Sequence, residues 1–148
     1  MYKHLLLPTD GSRLAGKAVK QGIMLAKSLR ARITVLNVTP EFQMVIAEGF
    51  VLPNLTDLKE RFDAQTAKQA QKIVDAISAD ARAAGVKCSA AIDTSARPYE
   101  AILQHAKKGK CDLIVMGSHG RTGLASLLVG SETAKVLTHS KIPVLVVR

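Results

Sequence analysis

The chain is poor in aromatic residues. They make up 3% of its 148 residues and there is no tryptophan, whereas 47% of the residues are hydrophobic. The core must therefore be built from aliphatic side chains. This favours a parallel α/β sheet, because its strands are covered on both faces and read as unbroken aliphatic runs. A chain of this length is expected to form one domain, spanning residues 1–148.

Cysteine is also scarce. The only two cysteines, Cys88 and Cys111, have no Cys-x-x-Cys spacing and no histidine cluster beside them, so we expect no metal site. Each stands at the start of a predicted strand. In the strand order given below, two other strands lie between them, roughly 14 Å at the usual strand spacing. This distance is too long for a disulfide, and we expect two free thiols.

Long apolar runs are missing as well. No run approaches the length that a membrane crossing requires, and Leu5–Leu7 is stopped at once by Pro8. The chain also lacks the longer apolar region and the small-residue cleavage site of a secretory signal peptide. We therefore expect a cytoplasmic protein with no membrane partner.

Acidic residues are absent between Asp10 and Glu41, and the chain has a formal net charge of +9. At helical spacing, the basic residues near the start of this stretch form one narrow stripe opposite an apolar face. No aromatic stacking platform or RNA-binding motif accompanies the stripe, so we favour a solvated helix surface over a nucleic-acid interface. The stripe comprises Arg13, Lys17, Lys20 and Lys27.

Five short aliphatic segments alternate with helical patterns. This alternation implies right-handed crossovers and a doubly wound α/β/α sandwich, a Rossmann-like fold with a five-stranded parallel sheet. We take the order of its strands to be 3-2-1-4-5. Such sheets bind ligands where the strand order reverses, here between the first and fourth strands. The predicted strands are residues 4–8, 33–38, 87–92, 113–116 and 142–147. The first predicted helix is capped by Ser12. The second begins at Thr56 or Asp57 and ends before Gly85. The third runs from Pro98 to a stop at Gly109, and the fourth ends at His139.

A glycine-rich segment follows the fourth predicted strand. It reads Gly117-Ser-His-Gly120, then nine residues, then Gly130-Ser131 at a helix start. Glycines let the backbone approach an anion, and the N–H groups of a first helical turn point at it. The segment has neither the Lys-Ser/Thr pair of a P-loop nor the position of a dinucleotide fingerprint. The plain alternative is a βα turn capped by Ser131. Because Asp10 is expected to face Gly117 across the switch point, we favour a binding site.

The stretch 41–56 is unusually apolar for a connection between elements. Two interpretations stay open, a segment that covers an exposed part of the core and a lid or partner contact.

Four segments together resemble the universal stress protein family, and the resemblance covers essentially the whole chain. They are Pro8-Thr-Asp10-Gly-Ser12, Met116-Gly-Ser-His-Gly120, Gly130-Ser131 and the closing Ile142-Pro-Val-Leu-Val-Val147. The likeness is to its ATP-binding branch, defined by Gly-x2-Gly-x9-Gly-Ser/Thr, of which all four positions match. The resemblance implies a single universal stress protein domain with an adenine nucleotide alpha hydrolase-like fold, and ATP, with Mg²⁺, as its ligand.

The resemblance also implies which residues contact the nucleotide. Glu132 is in addition a candidate for positioning a divalent ion, although one carboxylate is a weak metal signal. The implied contacts are Pro8, Thr9 and Asp10 at the adenosine end, Val38 against adenine and partly through its backbone, Met116 and Gly117 against the nucleoside, and Gly120, Arg121, Gly130, Ser131, Glu132 and Thr133 around the phosphates.

Plain structural alternatives remain for several of these residues. Asp10 is equally suited to cap the first helix. Val38 and Met116 also fit the aliphatic core, and Arg121 also fits a solvated loop.

Family members commonly dimerise through their last strands. The last predicted strand here is aliphatic, lies at the sheet edge and has no charge before Arg148. An exposed apolar edge strand invites association unless it is paired. We expect a homodimer through edge pairing of Val144–Val147.

Three functions are considered. The favoured one is a nucleotide-binding regulatory protein that acts in stress adaptation. The second is a slow ATPase, to which we assign no catalytic residue, because no acid, histidine or lysine is fixed at the motif's required positions and phosphoryl transfer needs a positioned metal and nucleophile. The third and least favoured is a nucleic-acid-associated protein that uses the basic stripe, which predicts binding with a steep salt dependence.

Overall fold

A computed structural model of the chain describes residues 1–43, 53–119 and 129–148. Strands and helices alternate through these ranges. The strands are β1 (His4–Pro8), β2 (Arg32–Thr39), β3 (Cys88–Thr94), β4 (Leu113–Gly117) and β5 (Val144–Val147), and the helices are α1 (Arg13–Leu29), α2 (Leu55–Ala83), α3 (Pro98–Lys108) and α4 (Ser131–His139).

The five strands form one parallel sheet in the order β3-β2-β1-β4-β5. The predicted fold class and strand order are confirmed. In register, Leu5 of β1 is flanked by Ile33 of β2 and Leu113 of β4. The last strand begins two residues later than expected, because the N–H of Ile142 donates to the Ser140 hydroxyl rather than to the ladder.

The core lies on both faces of the sheet, as a doubly wound fold requires. Alternate residues of β1 divide between the two layers: Leu5 and Leu7 face α1 and α2, and Leu6 faces α3 and α4. All three are fully buried. Successive side chains of a strand point to opposite faces, so an unbroken aliphatic run supplies both layers at once.

Helix α1 begins at Arg13 because the Ser12 hydroxyl accepts a hydrogen bond of 3.2 Å from the N–H of Ala15. Its small aliphatic residues pack on the sheet, with the buried positions Ala15, Ala18, Val19, Gly22, Ile23 and Ala26. The four basic residues of the stripe are exposed, and no ion pair joins them to another residue in the described part of the chain.

Helix α2 begins at Leu55, one residue before Thr56, the earlier of the two predicted starts. Gly85 follows the helix with a φ of 77°, in the left-handed region that favours glycine. Gly109 ends α3 as expected, but the left-handed residue there is Lys110, with a φ of 51°. None of the helices in the described ranges combines the length and the apolarity of a membrane span.

Cys88 and Cys111 are free thiols, as expected. Cys111 is buried in the layer between the sheet and α3 and α4. Burial raises the pKa of its thiol to about 11. Of the apolar stretch 41–56, residues 44–52 lie outside the described residues. Phe42 packs against Phe62 of α2, with ring centroids 5.4 Å apart and the ring planes tilted by 58°.

Candidate functional site

The carboxyl ends of β1 and β4 lie side by side where the strand order reverses. The two strands pair in parallel with Leu6 opposite Ile114, which brings the turn after Pro8 next to Gly117 at the end of β4. The first turn of α1 packs directly on this glycine, because a Cβ at Gly117 would lie 3.3 Å from the backbone C and O of Leu14. A larger residue at position 117 would therefore push α1 away from the sheet edge.

The turn after β1 is held in shape by its own side chains. The Asp10 carboxylate accepts a hydrogen bond of 2.9 Å from the N–H of Ser12, and the Thr9 hydroxyl accepts one of 3.2 Å from the N–H of Gly11. Gly11 has a φ of 77°, which favours glycine at this position. Ser12 caps α1, so Asp10 is not its N-cap. Asp10 instead shapes the turn at the edge of the switch point.

The backbone of Val38 faces past the end of β1. Residues of β2 alternate in direction: the C=O of Leu36 accepts from the N–H of Thr9 on the β1 side at 2.9 Å, and the C=O of Thr39 accepts from Ser95 on the β3 side at 3.0 Å. Val38 is in phase with Leu36, and β1 has ended at Pro8. The N–H and C=O of Val38 therefore point into the switch point, while the Val38 side chain packs in the core layer beneath α3 and α4.

Asn37, which was not among the residues expected at the site, lies beside this position. Its side-chain amide donates a hydrogen bond of 2.9 Å to the C=O of Thr9. Both residues are buried, with exposed fractions of 5% and 7%. The sequence does contain a signal for Asn37, since an amide inside an aliphatic strand needs a specific hydrogen-bond partner.

The two ends of the glycine-rich segment meet at one point. The N–H of Gly130 donates a hydrogen bond of 2.8 Å to the C=O of Ser118, whose own N–H donates to the C=O of Val147 at 2.8 Å. A Cβ at Gly130 would lie 3.0 Å from the Ser118 oxygen, so a side chain there would force the neighbouring backbone to shift. Two of the residues expected around the phosphates, Gly120 and Arg121, lie outside the described residues.

Helix α4 starts at this meeting point, and no side chain in the described ranges caps it. Gly130 is its N-cap and Ser131 its first residue, so the alternative that Ser131 caps the helix is wrong. The amide of Ala134 closes the first helical hydrogen bond, to the C=O of Gly130 at 2.9 Å. The N–H groups before it belong to the first turn, where a helix presents uncapped donors and the positive end of its dipole.

Met116 and Thr133 hold this edge of the sheet together. The Thr133 hydroxyl donates a hydrogen bond of 3.0 Å to the C=O of Gly117, and the Thr133 side chain is buried. Met116 is 6% exposed and packs in the layer between the sheet and α3 and α4. The structure thus gives both residues packing roles beside the switch point.

Glu132 links α4 to α3. One carboxylate oxygen accepts a hydrogen bond of 3.0 Å from the N–H of Tyr99, in the first turn of α3, and the other accepts from Lys135 at 2.8 Å. The bond from Lys135 raises the pKa of that lysine. Because both oxygens have partners, a metal ion would compete with them for Glu132. No group of three or more His, Cys, Asp or Glu side chains suited to a metal ion occurs among the described residues.

The sequence matches the model of the universal stress protein family over residues 1–148. It is 34% identical to universal stress protein MJ0531 of Methanocaldococcus jannaschii, over all of this chain and 83% of that protein. It is 32% identical to universal stress protein YxiE of Bacillus subtilis, over the full length of both.

Solved structures agree with these relationships. Universal stress protein UspA from Lactobacillus plantarum superposes with a TM-score of 0.83 at 26% identity, over 99% of this chain and 98% of that one. Two more distant structures share the fold: a universal stress protein in complex with cAMP (24% identity, TM-score 0.67, 99% and 97% covered) and a family protein from Arabidopsis thaliana with AMP bound (16% identity, TM-score 0.64, 98% and 90% covered).

Proposed function

The chain belongs to the universal stress protein family, and we propose that it binds ATP at the switch point between β1 and β4 and acts as a nucleotide-dependent regulator in stress adaptation. The observation that carries the proposal is the joining of the two ends of the glycine segment beside the start of α4, which no described side chain caps. Backbone N–H groups and the helix N-terminus there can bind a phosphate by donating hydrogen bonds to its oxygens, without a cationic side chain.

The adenosine end is assigned to the turn after β1 and to the end of β2. We assign to Asp10, beside Pro8 and Thr9, the role of accepting hydrogen bonds from the ribose hydroxyls. The N–H and C=O of Val38, which face past the end of β1, offer one donor and one acceptor to the edge of a base. Adenine has a matching acceptor and donor at N1 and N6. Two proteins of the same fold, one holding cAMP and one AMP, make adenine the base we assign.

The phosphate end is assigned to the glycine segment and the first turn of α4. Gly130 and Ser131 stand at the start of α4, where Ser131 offers a hydroxyl beside the first helical amides. Gly117 stays assigned, with Met116, to the nucleoside. Glu132 and Thr133 contribute through their backbone, since their side chains bind the protein. We extend the phosphate site to Gly120 and Arg121 from the motif alone.

Magnesium is assigned to the nucleotide rather than to a protein cage. Mg²⁺ usually keeps several waters and binds substrate phosphates with one or two carboxylates. Glu132 is the nearest carboxylate in sequence to the phosphate site, and its oxygens already bond to Tyr99 and Lys135. We therefore propose that Mg²⁺ accompanies ATP and that its removal weakens binding without abolishing it.

The proposal has three further parts. Residues 1–148 form a single domain that works in the cytoplasm. Two copies associate through β5, whose four residues are all apolar and whose Leu145 is 41% exposed. In the described sheet β5 pairs only with β4, and edge pairing would give it a second partner.

Competition binding tests the base and the phosphate separately. A fluorescent ATP analogue is displaced in turn by ATP, GTP and inorganic tripolyphosphate. The proposal expects ATP to compete at micromolar concentration and GTP at least tenfold more weakly. Equal competition by all three would show an unspecific anion site, and failure of ATP to compete would refute the proposed function.

A further inference from the structure

The most informative feature outside the proposed contacts is the hydrogen bond from Asn37 to Thr9. The side-chain amide of Asn37 donates to the Thr9 C=O at 2.9 Å, and both residues are more than nine-tenths buried. A buried amide of this kind is costly to place in an aliphatic strand unless its bonds are made. The bond to Thr9 therefore offsets the cost of burying the Asn37 amide, and we ask what the bond does for the neighbouring backbone.

The bond replaces a ladder hydrogen bond. On the β1 side of β2, the N–H of Arg32 donates to the C=O of Lys3 at 3.0 Å. In a parallel ladder this bond repeats every two residues along both strands. After three repeats, the pattern would pair the N–H of Val38 with the C=O of Thr9. That oxygen accepts from Asn37 instead. No described residue accepts a hydrogen bond from the N–H of Val38 on this side.

We infer that Asn37 is a positioning residue that keeps the backbone of Val38 open for the base of the bound nucleotide. The inference rests on the proposed function. By satisfying the Thr9 carbonyl, Asn37 stops the β1–β2 ladder at Leu36 and lets the chain turn away at Thr9. The Val38 N–H and C=O are thereby left to the ligand, although the Asn37 side chain itself does not touch it.

Removal of the amide should close the site. In Asn37→Leu, which is similar in size, the buried Thr9 oxygen loses its donor, and an unsatisfied buried carbonyl takes the nearest available one. That donor is the N–H of Val38, one ladder step beyond Leu36. The ladder then extends by one rung, and the base loses its hydrogen bond to Val38.

Amide hydrogen exchange of Val38, followed by NMR, is the direct test. In the wild-type protein without nucleotide, the Val38 N–H should exchange at least tenfold faster than that of Leu36, which lies within the ladder. ATP should slow it. In Asn37→Leu it should be slow without any nucleotide. A slow Val38 amide in the nucleotide-free wild type would overturn the inference, whether or not the variant folds.

Affinity gives a second readout that a loss of stability alone would not produce. Asn37→Leu should bind ATP about tenfold more weakly, the scale of one lost hydrogen bond, yet bind tripolyphosphate as the wild type does. Thr34→Val is the matched control, since it removes hydrogen bonds to His4 and Ser89 at the other end of the same strand. It should leave both affinities unchanged.

The outcomes separate the inference from the proposed function. Wild-type protein that binds no ATP would refute the function, whereas unchanged ATP affinity and unchanged Val38 exchange in folded Asn37→Leu would refute the role of Asn37. Parallel losses for ATP and tripolyphosphate in that variant would also contradict it, because they would indicate general damage to the site.

Discussion

The hydroxyl of Thr133, in the first turn of α4, donates a hydrogen bond of 3.0 Å to the carbonyl of Gly117, the last residue of β4. Both residues are buried. The bond joins the two elements that flank the glycine-rich segment, so that the start of α4 keeps its position against the sheet edge. The geometry of the proposed phosphate site depends on this bond.

Replacing Thr133 by Val should destabilise the protein by about 1–3 kcal/mol, because the shape is kept while the buried carbonyl of Gly117 loses its donor. Thr133→Ser should retain most of the stability. The free energy of unfolding in urea measures the effect. Thr138→Val is a control in the same helix, since Thr138 is exposed and bonds only to the backbone of its own helix; its change should stay within about 0.5 kcal/mol. Equal losses at the two positions would contradict the assigned role.

Two glycines of α1 should respond in opposite ways to alanine. A Cβ at Gly16 meets nothing within 4 Å, so Gly16→Ala should stabilise the protein by about 0.5–1 kcal/mol through helix propensity. A Cβ at Gly22 would lie 2.5 Å from a methyl carbon of Leu7, which is fully buried. Overpacking there should cost about 1–3 kcal/mol and outweigh the gain in propensity. Thermal unfolding of both variants measures their stabilities relative to the wild type. A Gly22→Ala variant that is more stable than the wild type would contradict the prediction.

Stability should fall in mild acid because of His4. Burial first, and the charge of Arg32 second, lower the pKa of this histidine, and its ring bonds to the Gly109 carbonyl and the Thr34 hydroxyl. The unfolded chain therefore takes up a proton at a higher pH than the folded one. The stabilisation is complete above about pH 6.5 and is lost as the pH falls through the folded pKa, by at most about 1.4 kcal/mol per pH unit.

Unfolding free energies at pH 8, 6.5 and 5 measure this slope. In His4→Gln the part due to His4 should disappear, so the variant should lose less stability between pH 6.5 and 5 than the wild type. Identical slopes in the two proteins would show that His4 does not titrate differently on folding.

A charge on the edge strand should separate the proposed dimer. Leu145→Lys places an ammonium on β5 at the most exposed of its positions. Sedimentation at micromolar concentration should give a dimer for the wild type and a monomer for the variant. Leu137→Lys, at an exposed leucine of α4, serves as control and should remain dimeric. Monomeric wild-type protein would contradict the proposed edge pairing.

Local sequence features were sufficient to predict the fold. The aliphatic runs supply both core layers, and Ser12 and Pro98 mark helix starts. Strict alternation implies a doubly wound sheet, and the order that we took for it, 3-2-1-4-5, is the observed one. The same logic predicts that the ends of β1 and β4 meet. Phosphate contacts at Gly120 and Arg121 stay predictions, since these residues lie outside the described ranges.

The features that were not predicted depend on contacts between distant segments. Glu132 caps α3 from the neighbouring helix, and Asn37 bonds to the end of another strand. Neither partner can be read from local spacing. Ser131 looks like a helix cap because serine favours that position, yet the contact of Gly130 with Ser118 moves the cap one residue earlier.

The most direct test of the central claim is calorimetric titration of ATP into the purified protein, with and without magnesium, repeated on Gly130→Val and on the control Gly16→Ala. We expect saturable micromolar binding by the wild type and Gly16→Ala. Gly130→Val should lose at least tenfold in affinity, because its side chain would collide with the Ser118 oxygen at the start of α4. A folded wild-type protein that takes up no ATP, or a Gly130→Val variant that binds it equally well, would contradict the account.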